Sequence, residues 1–345
     1  MARATLPHYL TRVLGADVQS QRLRPEVLQH RLVTLVGPGG SGKTRLAVEL
    51  AHGLARPESA AFDLVAFVPL VVCTSAAQML DALLAAFQAR AGGADAIDRL
   101  LPLLAGRRAL LVLDNFEQLG ADAAQQVARL VSALPGLHLL LTSRRALGLD
   151  GEREFAVSAL GLPGADDSLD AAAGSPAVAL FVDRSRAVRS DFHLHRGNLQ
   201  AVKTLVTALD GMPLALELAA ARVRSIALAQ MLVRLTEPVP GQNSPVLDLL
   251  SRASPRAGHD PRNASMQAVI AWSWQQLSPP QACLLAGLTV FAGGCTGQAA
   301  DAVCGQAGHD MALLLDVRPG GQAWGSQAWG SGLAFCVPLI AKGKT

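Results

Sequence analysis

One stretch of eight residues, Gly37-Pro38-Gly39-Gly40-Ser41-Gly42-Lys43-Thr44, constrains this chain more than any other feature. It follows the pattern G-x-x-x-x-G-K-[ST], and each position has a chemical reason. A polyphosphate needs many hydrogen-bond donors and tolerates few side chains in its way. Glycines let the backbone curl until successive N–H groups point inward. A helix beginning near Lys43 turns the positive end of its dipole towards the same place. Lys43 is expected to reach the β- and γ-phosphates, and the Thr44 hydroxyl to ligate Mg²⁺. The expected binding set for ATP or ADP is therefore Gly37, Pro38, Gly39, Gly40, Ser41, Gly42, Lys43 and Thr44, together with Arg45.

The flanks of the loop agree with this reading. Leu32–Val36 (LVTLV) is a compact apolar run that ends at glycine, and Leu46, Ala47, Leu50, Ala51 and Leu54 share one helical face. Further strand-like runs at Phe62–Val68, Ala109–Leu113, Leu137–Thr142 and Glu154–Val157 alternate with helical patterns at Ala76–Arg90 and Ala121–Leu134. Apolar runs without polar alternation indicate strands buried on both faces. Strands alternating with helices indicate a parallel sheet. The expected fold is α/β, a P-loop NTPase sheet flanked by helices over residues 31–160, preceded by a lead-in over 1–30.

The second half reads differently. Residues 161–175, rich in Gly, Asp and Ala, form an expected linker. Helical patterns follow at Pro176–Arg189, Gly197–Leu209, Pro213–Arg224 and Leu228–Leu235, an all-α domain over 176–236. Proline and glycine crowd residues 237–262, an expected loop. Helical patterns return at Ser265–Leu277, Pro279–Val290 and Gly297–Val303. The 313–345 tail is Gly-rich and repeats QAWGS in tandem at Gln322–Ser326 and Gln327–Ser331, without periodicity.

A nucleotide site of this kind also needs a carboxylate that holds Mg²⁺ through water at the end of a neighbouring strand. Asp114 closes the run ALLVL and fits that role. Glu117 is a candidate to polarise the attacking water, against the plainer reading of a solvated loop glutamate. The run Leu137–Thr142 continues into Ser143-Arg144-Arg145. A cationic cluster at a strand's carboxyl end faces the ligand crevice of an open α/β sheet, so Arg144 is a candidate γ-phosphate sensor. An exposed surface arginine is the alternative.

Composition narrows the function classes. Half of the residues are hydrophobic and the net charge is +3, too small by itself to indicate a nucleic acid or an acidic membrane surface. Of the 30 basic residues only Lys43, Lys203, Lys342 and Lys344 are lysines, which makes a lysine in the phosphate loop more informative. The five cysteines form no C-x-x-C pair and read as reduced thiols. The N-terminus lacks a signal-peptide apolar region, and Ala61–Cys73 is too short and too interrupted to span a bilayer. A cytoplasmic protein without a membrane partner is expected. His193 and His195 read as surface histidines rather than metal ligands, and Trp272 and Trp274 as packing residues.

Five blocks carry a resemblance: HRLVTLVGPGGSGKTRLAVELA, LLVLDNFEQL, LLLTSRRALGLDGE, LDGMPLALELAAARVR and AWSWQQLSPPQACLLAGLTVFAGG. In this order they resemble the STAND class of signal-transduction ATPases, in particular the NB-ARC-like region of large bacterial transcriptional regulators of the LuxR and SARP types. The likeness runs from about residue 7 to about residue 312. It implies Walker A at Gly37–Thr44, the Walker B acid at Asp114 followed by Asn115, and a sensor arginine at Arg144. Gly211-Met212-Pro213-Leu214 matches the G-L-P-L motif, which implies that Pro213 packs near the adenine; Pro213 also suits the first turn of a helix. The resemblance further implies a helical domain after residue 176 and a partial winged-helix-like domain over 263–312 that is not normally a DNA reader. Ala16 stands where the family carries an arginine that helps hold the nucleotide. The sensor repeats and DNA-binding module of the family have no counterpart in this sequence, so a truncated product is expected.

The resulting expectation is a nucleotide-dependent switch in a transcriptional regulator, with slow Mg²⁺-dependent ATP hydrolysis. Self-association driven by ATP is an option the class leaves open. The alternatives are a small-molecule kinase sharing the phosphate loop, which would need an acceptor pocket and an arginine-bearing lid, and a non-catalytic remnant or scaffold.

Overall fold

Five parallel strands in the order β2-β3-β4-β1-β5 make the sheet: β1 Leu32–Val36, β2 Leu64–Pro69, β3 Ala109–Asp114, β4 Leu137–Ser143 and β5 Arg153–Ala156. The structure, a computed structural model, describes residues 6–15, 17–59, 61–89 and 96–236 and the single residues 250, 265, 266 and 302. Apart from those single residues, the 237–262 loop, the 263–312 winged-helix-like stretch with its three helical patterns and both tryptophans, and the 313–345 tail lie outside the described residues.

Near-identical leucines are sorted by the two-residue period of the strands. Ala109, Leu111 and Leu113 of β3 and Leu137, Leu139 and Leu141 of β4 face one core. That core is closed by α3 (Ala76–Ala86), α4 (Ala96–Leu104) and α5 (Ala121–Ala133). Leu110 and Val112 of β3 and Leu140 of β4 face the other, with Val33 and Leu35 of β1. It is closed by α1 (Asp17–Gln29) and α2 (Lys43–Leu54). Every residue of β3 and β4 is buried, as apolar runs without alternation require. The edge strand β5 is largely exposed, and its Arg153 pairs with Glu26 of α1 at 2.9 Å.

Two helices that flank the sheet escape the periodic reading. α1 lies in the expected lead-in and α4 follows the helix expected at Ala76–Arg90, which ends at Ala86. Each carries an interior proline, Pro25 and Pro102, and proline removes a helix hydrogen bond. The strand order brings a second correction. Asp114 does not close a strand adjacent to β1, because β4 lies between β1 and β3. Leu35 is in register with Thr142 and Val36 with Ser143, while Leu113 is in register with Leu141. The carboxyl ends of these three strands are thereby level with one another.

The chain divides into two compact units. One holds the described residues up to Gly37 together with 42–157; the other holds residues 38–41 with the described residues from 158 onward. The second unit contains α6 (Leu169–Gly174), α7 (Pro176–Val188), α8 (Arg196–Ala208), α9 (Pro213–Arg222) and α10 (Leu228–Thr236). α6 falls within the segment expected as a linker. Phe181 and Phe192 meet edge-on, 6.0 Å apart, in its core. His195 accepts from the Gly197 N–H at 3.1 Å and caps α8, and His193 bonds the Asp191 carbonyl at 2.9 Å. Gly211 turns the chain from α8 into α9 at φ 60°, and its carbonyl accepts from the Leu160 N–H at 3.0 Å.

Candidate functional site

The phosphate loop leaves β1 at Val36 and enters α2 at Lys43. Gly40 and Gly42 hold φ of 84° and 94°, the left-handed region that side chains disfavour. Gly42 at the helix entrance brings no capping side chain, so the first amides of α2 are left for another acceptor. Lys43 is buried and donates from Nζ to the Gly37 carbonyl at 2.7 Å, folding back over its own loop. Burial lowers its pKa to about 8; Glu117 and Asp114 oppose that shift and Arg144 adds to it.

Asp114, at the end of β3, is almost fully buried. Its Oδ1 accepts hydrogen bonds from Thr44 Oγ1 at 2.7 Å and from Thr142 Oγ1 at 2.7 Å. Burial raises its pKa and Glu117 adds to the rise, while the Thr142 and Thr44 hydroxyls and Lys43 work the other way. Thr142 accepts in turn from the Asn115 N–H at 2.9 Å. One hydroxyl thus ties the acid to β4 and stabilises the turn after β3, where Asn115 takes a φ of 65°. That turn leads into a short 3-10 helix, Phe116–Gln118, which carries Glu117.

Glu117 and Arg144 face each other, with Arg144 Nε 3.6 Å from Glu117 Oε1 and both side chains mostly buried. Arg144 follows β4 directly. The loop beyond it is pinned by Glu152, whose carboxylate accepts from the N–H groups of Leu147, Gly148 and Leu149 at 2.9, 2.8 and 3.3 Å. The block LGLDGE in the sequence is therefore a carboxylate closing a loop.

The structure brings Lys43, Thr44, Asp114, Glu117 and Arg144 into one cluster at the carboxyl ends of β1, β3 and β4. Arg45 is directed elsewhere. It donates from Nη2 to the Thr11 carbonyl at 2.6 Å and lies 4.1 Å from the centre of the Tyr9 ring. Pro213 opens α9 in the helical unit, next to Leu214, whose N–H donates to the Gly40 carbonyl at 3.3 Å. Sequence reasoning missed Thr142, since a threonine ending an apolar strand reads simply as a β-branched strand residue. Its hydroxyl gains partners only once β4 lies beside β3.

The residues fit a Mg²⁺–nucleotide. The Ser41 hydroxyl is buried without a hydrogen-bond partner, and so is Glu117 Oε2, two polar atoms left for something the site would hold. Thr44 and Asp114 present hard oxygen donors of the kind Mg²⁺ prefers. No helix among the described residues is long and apolar enough to cross a membrane.

Fold and site define a nucleotide-binding domain of the P-loop NTPase class. A NACHT domain, a STAND-class P-loop NTPase module, matches residues 31–164. The chain is 35% identical over 289 residues to uncharacterised proteins of Mycobacterium tuberculosis and Mycobacterium bovis, covering 83% of this chain and 67% of theirs. It is 34% identical over 300 residues to longer proteins of the same organisms, provisionally named HTH-type transcriptional regulators. There it covers 85% of this chain and 30% of theirs. The chain belongs to the family of the uncharacterised mycobacterial proteins to which it is 35% identical, and its residues 31–164 match a NACHT domain. A Walker-type ATPase of Pyrococcus abyssi has a similar fold, with a TM-score of 0.55 and 13% identity over 94% of this chain and 96% of that one.

Proposed function

We propose that this chain is a nucleotide-dependent switch that binds ATP and ADP with Mg²⁺ at Gly37–Thr44, hydrolyses ATP slowly, and serves a transcriptional regulator. One observation carries the switch. The tip of the phosphate loop, residues 38–41, belongs to the same compact unit as α9. Within that unit the Leu214 N–H bonds the Gly40 carbonyl, and a Cβ on Gly40 would come within 2.9 Å of Leu214 Cβ. A loop that changes shape between ATP and ADP acts on the start of α9 without an intermediary. Differential affinity of a few kcal/mol between two states is enough to move such an equilibrium.

The roles follow from position. Lys43, released from the Gly37 carbonyl, neutralises the β- and γ-phosphates. The loop amides and the Ser41 hydroxyl donate to the phosphates. Thr44 and Asp114 would hold Mg²⁺, which supplies charge neutralisation along the polyphosphate. Glu117 is the general base for water and Arg144 the sensor of the γ-phosphate. While the two are paired, neither is available for its role, which favours slow turnover. Pro213 lines the adenine. The regulatory role rests on the names of the longer relatives.

Hydrogen exchange tests the switch. With saturating ATP and then ADP, the Leu214 amide and the first turn of α9 are expected to differ in protection by about tenfold or more, the signature of a 1.4 kcal/mol change in local opening. Equal protection in the two states would remove the switch and leave a static nucleotide-binding domain.

A further inference from the structure

Glu117 stands on a single turn, the 3-10 helix Phe116–Gln118, closed by the Leu119 N–H on the Phe116 carbonyl at 2.9 Å. One turn of this kind has poor hydrogen-bond geometry and little stability of its own. What orients Glu117 is therefore what the turn is tied to. On one side the Asn115 N–H donates to Thr142 Oγ1 of β4 at 2.9 Å. On the other, Gln118 Nε2 donates to the carbonyl of Leu70, the residue after β2, at 2.5 Å. Because β3 lies between β2 and β4, the turn is anchored to both neighbours of its own strand. The Leu70 N–H donates in turn to the Asp114 carbonyl at 2.9 Å, so Leu70 holds both ends of the segment 114–118. Leu70 is itself fixed: its side chain is fully buried, and its carbonyl also accepts from the Cys73 N–H at 2.8 Å. Phe116 and Leu119 are buried in the same core as Leu70.

We propose that Gln118 is a positioning residue for ATP hydrolysis: through Leu70 it fixes the turn that aims Glu117 at the attacking water. The proposal deepens the ATPase reading and rests on Glu117 as its base. In that reaction the water oxygen bonds the γ-phosphorus, and the bond from that phosphorus to the bridging oxygen breaks with its electron pair going to ADP. Glu117 takes the proton that the water loses. A reacting group misplaced by about an ångström costs up to about a hundredfold in rate. Nucleotide binding depends on the phosphate loop and does not pass through Gln118.

Single-turnover hydrolysis of Mg²⁺–ATP by the full chain, with ADP affinity from calorimetry, separates positioning from binding. Gln118→Met keeps the length of the side chain and removes the donor. It is expected to slow hydrolysis about tenfold and to leave ADP affinity within about twofold. Gln118→Glu, which can only accept when ionised, should behave alike, and Gln118→His, which keeps a donor at the ε position, should recover most of the rate. The sharpest comparison is made in Glu117→Gln, itself expected to lose about a hundredfold. Adding Gln118→Met there should cost nothing more, since the tether acts only through the base. Equal slowing by Gln118→Met with and without Glu117, or a full rate in folded Gln118→Met, would overturn the proposal and leave the nucleotide site standing. A full rate in Glu117→Gln would overturn it too, by removing the base it serves, and so would ATP binding without hydrolysis in the unaltered chain. Failure of the unaltered chain to bind ADP would instead remove the nucleotide reading itself.

Discussion

Lys43 and Asp114 show how burial sets the charge state of a site before any ligand arrives. Lys43 has a pKa near 8 in the free protein. A polyphosphate beside it would raise that value, so the ammonium form gains stability on binding. Below pH 8 the lysine is already charged and affinity should be flat. Above pH 8 binding must take up a proton, and ATP affinity should fall by up to about tenfold per pH unit. Calorimetry at pH 9 in two buffers of different ionisation enthalpy should register that proton; equal heats would show that Lys43 is not the titrating group. Thr142 offers a second prediction. Thr142→Val keeps the shape but removes the donor to Asp114 and the acceptor for the Asn115 N–H. The expected loss is about 1–3 kcal/mol in urea denaturation. The letters Lys43, Thr44, Asp114 and Arg144 were legible because each closes or follows an apolar run. The bonds between them were not, since Thr142 and Asp114 are 28 residues apart and meet only through the strand order.

Strands and most helices were legible because burial imposes period. The runs at β1, β3 and β4 are buried on both faces and read as strands without ambiguity. α1 and α4 were not legible, because Pro25 and Pro102 interrupt their patterns and tertiary packing overrides the local penalty. Nor was the placement of β4 between β1 and β3, because apolar runs of similar composition do not encode their order. Between α8 and α9, the glycine of Gly-Met-Pro-Leu has a geometric reason. Gly211 sits at φ 60°, and a Cβ there would come within 2.3 Å of the Leu160 carbonyl oxygen. Gly211→Ala should therefore destabilise the helical unit by about 2 kcal/mol or more, both from the backbone strain and from the displaced carbonyl. Thermal unfolding followed by circular dichroism checks it, and an unchanged midpoint would show that the turn relaxes at no cost.

Across the whole chain, the residues divide into two compact units. The phosphate loop is a continuous segment of eight residues, yet its tip groups with the helical unit while its ends group with the sheet. That division was not legible in the motif, which reads as one object. The chain spans only 30% of the length of the relatives named as HTH-type regulators, so the regulatory role stays part of the proposal. The most direct test is equilibrium binding of Mg²⁺–ATP and Mg²⁺–ADP to the chain and to its Lys43→Ala variant. The unaltered chain is expected to bind both, and the variant to lose about a hundredfold or more in affinity, as when a buried charge partner is truncated. Unchanged ATP affinity in folded Lys43→Ala would contradict this.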